Sequence, residues 1–283
     1  MVSFIDQHRK AYGIEPMCAV LPIAPSTYYR CKDLQANPDK RSKRVKREEQ
    51  LRIEIKRVWQ ENHGVYGARK VWKQLKREWI MTGRGVVERL MKQLGISGVS
   101  RGRRCRTTVA SDVAEKPLDL VNRQFTASRP NQLWVADITY VATWSGFVYV
   151  AFVTDVYSDS SLDALEQALW ARGKPKGVIH HSDRGSQYLS ICYTERLSES
   201  GFNASVGSVG DSYDNALAES INALFKAEVI HKNGPWKSMD DVERATLTWV
   251  DWFNQKRLLG SIDDLPPAEY EMLYYKNESC KAA

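Results

Sequence analysis

The feature that most constrains the fold is the stretch of residues 131–158, in which two apolar runs rich in β-branched and aromatic side chains flank Ser145 and Gly146. Such runs favour strands, and a short connection containing glycine favours a tight reversal between them. The stretch therefore predicts a β-hairpin. Asp137 falls in the middle of its first strand, where an unpaired carboxylate among apolar neighbours would be costly, so it is a candidate functional residue.

The residues after the hairpin predict a sheet that is partly parallel. Residues 162–173 have the pattern of a helix that ends at Gly173, and residues 178–180 have that of a short buried strand. The order strand, crossover helix, strand is typical of an α/β fold. Asp183 follows the end of the second of these strands. The glycine- and serine-rich residues 198–215 predict a mobile loop.

A third carboxylate lies on the next predicted helix, residues 216–230. Four residues share one face of that helix: Glu219, Asn222, Ala223 and Lys226. Taken singly, an aspartate in a strand is more often structural, and a glutamate on a helix more often faces solvent. Together, Asp137, Asp183 and Glu219 supply from three different elements the hard oxygen ligands with which two Mg²⁺ ions are held for phosphodiester chemistry.

Charge divides the chain into two unequal halves. Residues 1–106 hold 25 Lys and Arg against 10 Asp and Glu, and the remainder hold 16 against 24, which gives +15 and −8. A nucleic acid is the favoured partner of the first half, because neutralising phosphates releases counterions. For any single basic cluster, a solvated surface is an equally good interpretation.

Three amphipathic helices are predicted in the basic half, over residues 48–62, 69–79 and 84–94. A glycine-punctuated tail then carries four arginines: Arg101, Arg103, Arg104 and Arg106. A helix-turn-helix-like unit with this tail predicts contact with DNA. A basic bundle with a purely structural role is the alternative.

The predicted organisation has five parts. They are an N-terminal segment over residues 1–44, the basic three-helix domain over 45–106, a linker over 107–130, the sheet domain over 131–275 and a tail over 276–283. Pro117 and Pro130 mark the linker, and Pro266 and Pro267 are expected to end the ordered pattern.

Cysteine usage and hydropathy predict a reduced, cytoplasmic protein. The five cysteines are scattered and form no C-x-x-C pair, so neither a disulfide framework nor a zinc site is indicated. No apolar run has the roughly 18 residues of a membrane span, and the first ten residues are too polar for a secretory signal.

Three segments resemble the catalytic signature of a known family. WVADITY around Asp137, HSDRGSQY around Asp183 and YDNALAES around Glu219 resemble insertion-sequence transposases of the "insertion sequence three" kind, which have a retroviral-integrase-like core. As in that family, 35 residues separate Asp183 from Glu219, and a basic residue, Lys226, follows the glutamate at plus seven. The resemblance extends from about Glu48, through HGVYGARKV, to WFNQKRLLGSIDDLPPAEYE.

The resemblance implies an RNase H-like α/β fold, preceded here by the small helical domain. It implies that Asp137, Asp183 and Glu219 bind two Mg²⁺ ions, with Mn²⁺ as an alternative, and that Lys226 faces the transposon end. The implied reaction is cleavage at the end of the element, followed by attack of the freed 3′-hydroxyl on target DNA, with no covalent enzyme intermediate.

The family also implies partners. Its second-reading-frame product normally acts fused to an upstream-frame product that bears a helix-turn-helix and an oligomerisation zipper, and it assembles as a multimer on DNA in the bacterial nucleoid. This chain begins without those parts, so we expect weak end specificity from the chain alone.

One departure from the family pattern is expected to matter. An RNase H-like sheet continues from its second strand into a third, antiparallel one, but only residues 157–161 separate Val156 from the predicted helix at Leu162. The third strand is therefore predicted to be missing, through an internal deletion that lowers stability and impairs activity. Two alternatives stay open: a metal-dependent nuclease of the same fold, and a catalytically defective DNA-binding or regulatory remnant.

Overall fold

The computed structural model describes residues 1–100, 118–122, 124–162, 165–182, 191–206 and 216–282. The chain divides into two compact units, Met1–Arg57 and Val58–Ala283. Within the described ranges, no helix is both long and apolar enough to cross a membrane. The predicted domain boundaries stay predictions, because a compact unit is not by itself an independently folding domain.

The first unit contains a small helical core that the sequence reading treated only as a segment. Helices α1 (Val2–Tyr12), α2 (Ile14–Val20) and α3 (Pro25–Ala36) enclose four buried side chains: Ile5, Met17, Cys18 and Tyr28. A short 3₁₀ turn, Pro38–Lys40, follows, and helix α4 (Lys43–Glu61) begins in this unit. The Tyr28 hydroxyl donates to Asp6 Oδ1 at 2.7 Å, which satisfies a buried polar group.

The second unit contains the other predicted amphipathic helices, α5 (Ala68–Arg77) and α6 (Arg84–Gln93). With α4, they confirm the three helices that the periodicity predicts. Within this unit, the segment before α5 packs against the C-terminal part of the chain: the Tyr66 hydroxyl donates to the Lys256 carbonyl at 3.1 Å and accepts from the Leu258 amide at 2.8 Å.

The described strands form one mixed sheet. They are β1 (Leu133–Thr143), β2 (Gly146–Asp155), β3 (Ser160–Leu162), β4 (Ile179–Ser182) and β5 (Asn203–Val206), in the order β3-β2-β1-β4-β5. The first two strands pair antiparallel from Trp134↔Asp155 to Thr143↔Gly146, as the hairpin prediction required. The β1/β4 and β4/β5 pairs are parallel, which confirms the partly parallel sheet.

Helices cover both faces of the sheet. On one face, α7 (Leu165–Ala171) and α8 (Ile191–Glu199) bury Trp134, Ala136 and Val153. On the other, α9 (Ala216–Phe225) and α11 (Met239–Gln255) meet Phe152, whose ring centroid lies 5.0 Å from that of Phe225. Alternate residues of β1 thus belong to two different cores.

The prediction that the third strand is missing is wrong. Residues 156–159 form a turn in which Asp159 adopts a left-handed conformation (φ 55°), and Ser160–Leu162 then pair antiparallel with Val153–Asp155. The strand is only three residues long. It includes Leu162, which was predicted to begin the following helix. Serine is a weak strand former, so local propensity gave no signal for it.

A side chain completes the outer edge of β3. Asn254, on α11, accepts from the Ser161 amide at 2.9 Å through Oδ1 and donates to the Ser161 carbonyl at 2.7 Å through Nδ2. Its Oδ1 also accepts from the Ser160 hydroxyl at 3.3 Å. The amide group therefore occupies the place of a neighbouring strand, and the buried backbone groups of Ser161 are satisfied.

Two further predictions about elements fail. Residues 203–206, within the predicted mobile loop, form β5 in register with β4. The two prolines do not end the order either, because α12 (Pro267–Ala282) begins at Pro267 and includes most of the predicted tail. Proline is favoured at the first helical position, since that residue's N–H has no partner within the helix.

The edge contact of Asn254 yields a stability prediction. Asn254→Leu removes both hydrogen bonds to buried backbone groups of Ser161 and should lower the free energy of unfolding by about 2–4 kcal/mol, measured by urea titration. The matched control is Gln255→Leu, an amide-to-leucine change at the exposed next position of α11. Equal midpoints for the two variants would show that β3 does not depend on this contact.

Candidate active site

Asp137 lies half-buried on β1, on the face of the sheet that α9 covers. Its Oδ1 accepts from the Ile138 amide at 2.8 Å, and its Oδ2 accepts from Asn222 Nδ2 at 2.8 Å. The carboxylate that the sequence singled out is therefore bonded directly to the predicted Glu219 helix.

Helix α9 holds this contact in place through its buried side. Ile221 and Phe225 are buried toward the sheet, and the aromatic cluster continues from Phe225 to Trp249, with 5.4 Å between the ring centroids. Glu219 lies half-buried one turn before Asn222. Residues three apart on a helix are neighbours, so the bond from Asn222 brings the turn that carries Glu219 to Asp137.

Sequence reasoning named Asn222 only as a member of this helix face and gave it no role. The structure adds that it is the residue that joins α9 to Asp137. No local signal in the sequence could have identified this contact, because it joins residues 85 positions apart.

The register of β4 bears on the second aspartate. The parallel pairing with β1 ends at Ala136↔Ser182. In the sequence, Asp137 follows the first of these residues and Asp183 follows the second. Asp183 itself lies outside the described residues, as do Arg101, Arg103, Arg104 and Arg106.

The two histidines of β4 have structural partners. His181 Nδ1 lies 2.9 Å from the Ser205 hydroxyl, so this buried residue is packed and hydrogen-bonded. His180 Nε2 lies 3.0 Å from the Tyr193 hydroxyl, and burial lowers the pKa of His180 to about 4. His180 is therefore neutral at ordinary pH and adds no positive charge at the end of β4.

Lys226 follows α9 where the helix changes its winding. Residues Lys226–Ile230 form a π-helix, and the short α10 (His231–Asn233) continues from it. Lys226 Nζ lies 5.0 Å from the centroid of the Tyr140 ring, a cation–π distance. Single π turns within α-helices are frequent at functional sites.

A buried ion pair anchors the π-helix. Glu228 lies on it and accepts from Arg257 Nη2 at 2.5 Å and from Trp249 Nε1 at 3.0 Å. The side chains of Glu228 and Arg257 are only 4% and 5% exposed. In such surroundings each charge depends on the other, and the pair holds the end of the Lys226 segment against α11.

The chemistry of the predicted triad fits Mg²⁺, since carboxylate oxygens are its preferred protein ligands. The described residues contain no group of three or more potential metal ligands. One member of the triad, Asp183, is not among them. The contact described at this position is the hydrogen bond that joins Asp137 to the Glu219 helix through Asn222.

The fold and the site together define an integrase-type core, and family models agree. The integrase core domain model matches residues 200–267, which include α9, and the HTH-like domain model matches residues 46–104. The chain is 56% identical to the transposase for insertion sequence element IS629 of Shigella sonnei, over 97% of each chain. The chain belongs to the IS3 family of insertion-sequence transposases.

Two further comparisons are more distant. The transposase InsF for insertion sequence IS3A of Escherichia coli K12 is 28% identical, over 95% of this chain and 97% of that one. Among solved structures, the HTLV-2 integrase catalytic core domain in complex with magnesium is 17% identical, with a TM-score of 0.42, over 52% of this chain and 99% of that one. The latter likeness is too distant to support an inference.

These matches confirm the predicted family and the α/β integrase-like core preceded by a helical HTH-like region. The alignment with the IS629 transposase has 289 positions but takes in 97% of a 283-residue chain, so about 14 positions have no residue here.

The buried ion pair yields a second prediction. Glu228→Gln removes the negative charge that Arg257 Nη2 contacts and should cost about 3–5 kcal/mol of the free energy of unfolding, measured by urea titration. Glu243→Gln, an exposed change of the same kind on α11, serves as the control and should have no measurable effect. A similar midpoint for both would indicate that the pair does not hold the π-helix.

Proposed function

We propose that the chain is a DDE-type polynucleotidyl transferase that cuts the end of its insertion sequence and joins it to target DNA. The observation that carries the proposal is the 2.8 Å bond from Asn222 to Asp137, which ties the Glu219 helix to the central strand. Asp183 is assigned the third position because it directly follows Ser182, the residue paired with the neighbour of Asp137.

In the proposed reaction, the oxygen of a water bonds to phosphorus at the element's end and the bond to the 3′-oxygen breaks, leaving a 3′-hydroxyl. That hydroxyl then attacks a target phosphate and displaces the target's own 3′-oxygen. One phosphodiester replaces another, so no energy source is needed. When bound, two Mg²⁺ ions activate the attacking oxygen and stabilise the leaving one.

The chain's own residues bind the metal ions and the DNA phosphates, and they orient the metal ligands. Asp137, Asp183 and Glu219 bind the ions, and Asn222 fixes the direction in which Asp137 Oδ2 presents its lone pairs. Lys226 and the arginines at 101, 103, 104 and 106 bind phosphates, the latter on the basic half of the chain. We assign the upstream-frame product, free or as a frameshift fusion, as a partner, and a multimer on DNA in the nucleoid as the working form.

We further infer that the positions lacking in this chain fall between β2 and α7. The third strand covers only three residues of β2, whereas β2 has ten. Among the described strands, none pairs with the outer edge of residues 146–152, and such an edge invites pairing with another chain. The hypothesis of reduced stability thus rests on a shortened strand and not on a missing one.

A strand-transfer assay tests the function. The substrate is a labelled duplex with the terminal sequence of the element that encodes the chain, cut in advance at its 3′ end. Asp137→Asn and Glu219→Gln should reduce joining to background in Mg²⁺, and Ca²⁺ should not support joining by the native chain. Asp251→Asn, an exposed change on α11, should join like the native chain.

The possible outcomes separate the competing functions. Cutting of uncut ends without any joining would identify a nuclease. DNA binding with neither reaction, and with no effect of Asp137→Asn, would identify a regulatory protein and refute the enzyme.

A metal titration tests the role of Asn222 separately. Asn222→Ala removes the donor that orients Asp137 and should weaken Mn²⁺ binding about 10–100-fold, as loss of a partner that orients a metal ligand does. The measurement is electron paramagnetic resonance of free Mn²⁺. Asn222→Gln, which keeps an amide donor on a longer arm, should recover part of the affinity. Unchanged Mn²⁺ affinity in Asn222→Ala would show that Asn222 does not orient a metal ligand.

A further inference from the structure

The far end of the β1–β2 hairpin exposes a cluster of aromatic rings, which we call the hairpin patch: Tyr140, Phe147 and Tyr149. Their exposed fractions are 49%, 67% and 65%. The Tyr140 and Phe147 ring centroids are 5.7 Å apart in an edge-to-face arrangement. Rings of this size normally supply core packing, so a group of three in solvent needs an explanation.

Strand register places the three rings on one face. Tyr140 is paired with Tyr149, and Phe147 is paired with Ala142, two residues further along the same face. The face is the one that α7 and α8 cover nearer the base of the hairpin, where it buries Trp134, Ala136 and Val153. The patch is therefore a continuation of a core face beyond the helices that cover it.

The charge around the patch is positive. Residues 138–154 contain no ionisable acid or base other than tyrosine. Two lysines reach the rings of the hairpin: Lys226 Nζ lies 5.0 Å from the Tyr140 centroid, and Lys237 Nζ lies 5.8 Å from that of Trp144, at the turn. Aromatic faces combined with cations form the surface to which unpaired nucleic acid binds.

The patch is linked to the segment that follows the Glu219 helix. Two contacts join β1 to the Glu219 helix: Asn222 with Asp137, and Lys226 with Tyr140. The second lies three residues further along the strand, about 10 Å, and four residues further along the helix, about 6 Å. Because three residues is an odd separation along a strand, the Tyr140 ring and the Asp137 carboxylate lie on opposite faces of the sheet. The patch is therefore linked to the Glu219 helix through Lys226.

Resting on the proposed function, we propose that the hairpin patch is a stacking site for an unpaired nucleobase of the DNA strand whose phosphate Lys226 binds, with Tyr140 as its central ring. Bases inside a duplex have both faces covered by neighbours, so an exposed ring can stack only on a base that has left the helix or lies at its end. Lys226 then holds the adjoining phosphate. Stacking is tolerant of sequence, because every base has a π face.

Fluorescence of 2-aminopurine tests the proposal, because stacking quenches it. The probe is a duplex with three unpaired nucleotides at one end, one of them 2-aminopurine, mixed with the full chain in EDTA so that no cleavage occurs. Quenching is expected with the native chain and with Tyr140→Phe. Tyr140→Leu should abolish it and weaken binding about five- to hundredfold. A fully paired probe should bind the native and Leu variants alike.

Trp170→Leu is the matched control. Trp170 is 70% exposed on α7, with Lys174 Nζ 4.4 Å from its centroid, so it forms a similar cation–aromatic pair away from the carboxylates. This variant should quench and bind like the native chain. Equal losses in Trp170→Leu and Tyr140→Leu would overturn the proposal, because they would reflect general aromatic contact with DNA.

Two other results would also overturn it. Unchanged quenching in Tyr140→Leu would show that the base stacks elsewhere. A change of sedimentation coefficient in Tyr140→Leu with quenching intact would show that the patch instead seats a second copy of the chain.

Failure of this inference is separable from failure of the proposed function. If the native chain joins DNA but Tyr140→Leu quenches normally, only the stacking site fails. If the chain neither cuts nor joins DNA and Tyr140→Leu still loses quenching, the stacking site is supported and the proposed transferase activity is refuted.

Discussion

The alternation of side chains along β1 governs the arrangement of the whole second unit. Trp134 and Ala136 are buried under α7 and α8, while Asp137 faces α9 on the other side. Because the period of a strand is two, a shift of one residue would move the carboxylate into an apolar core. The ten pairs with β2 and the parallel pairs with β4 fix the register from both sides. The position of Asp137 is therefore a consequence of the sheet and does not depend on a flexible loop.

Elements with strong periodicity could be predicted from the sequence, and short polar ones could not. The hairpin and α4, α5 and α6 have long alternating or helical patterns, so local sequence was sufficient for them. β3 is three residues long, and two of them are serines. Its stability depends on Asn254, more than ninety positions away, which no local pattern can reveal. α12 was not predicted, because the two prolines at its beginning were interpreted as the end of the ordered pattern.

Some features of the candidate site could likewise be predicted from the sequence, and others could not. Asp137 and Glu219 were predicted from residue type, spacing and family resemblance, and their role as metal ligands stays a prediction. The bond from Asn222 to Asp137 was not, because it joins residues 85 positions apart and needs the sheet to bring them together. The exposure of Tyr140 could not be predicted either, because a tyrosine in a strand of alternating pattern indicates a face that packs into the core. Only the extent of the covering helices shows that this face continues into solvent.

Charge explains why an uncharged aromatic ring in contact with Lys226 is useful to a chain of this kind. The basic half attracts DNA over long distances and without regard to sequence, whereas residues 107–283 carry a net charge of −8 and repel it. Stacking depends little on net charge and acts only at contact. A ring that contacts Lys226 therefore adds attraction that does not depend on net charge, and it fixes the position of a strand that electrostatics alone would only hold nearby. Added salt should weaken the first contribution far more than the second, so the affinity that remains at high salt reports the stacking contact.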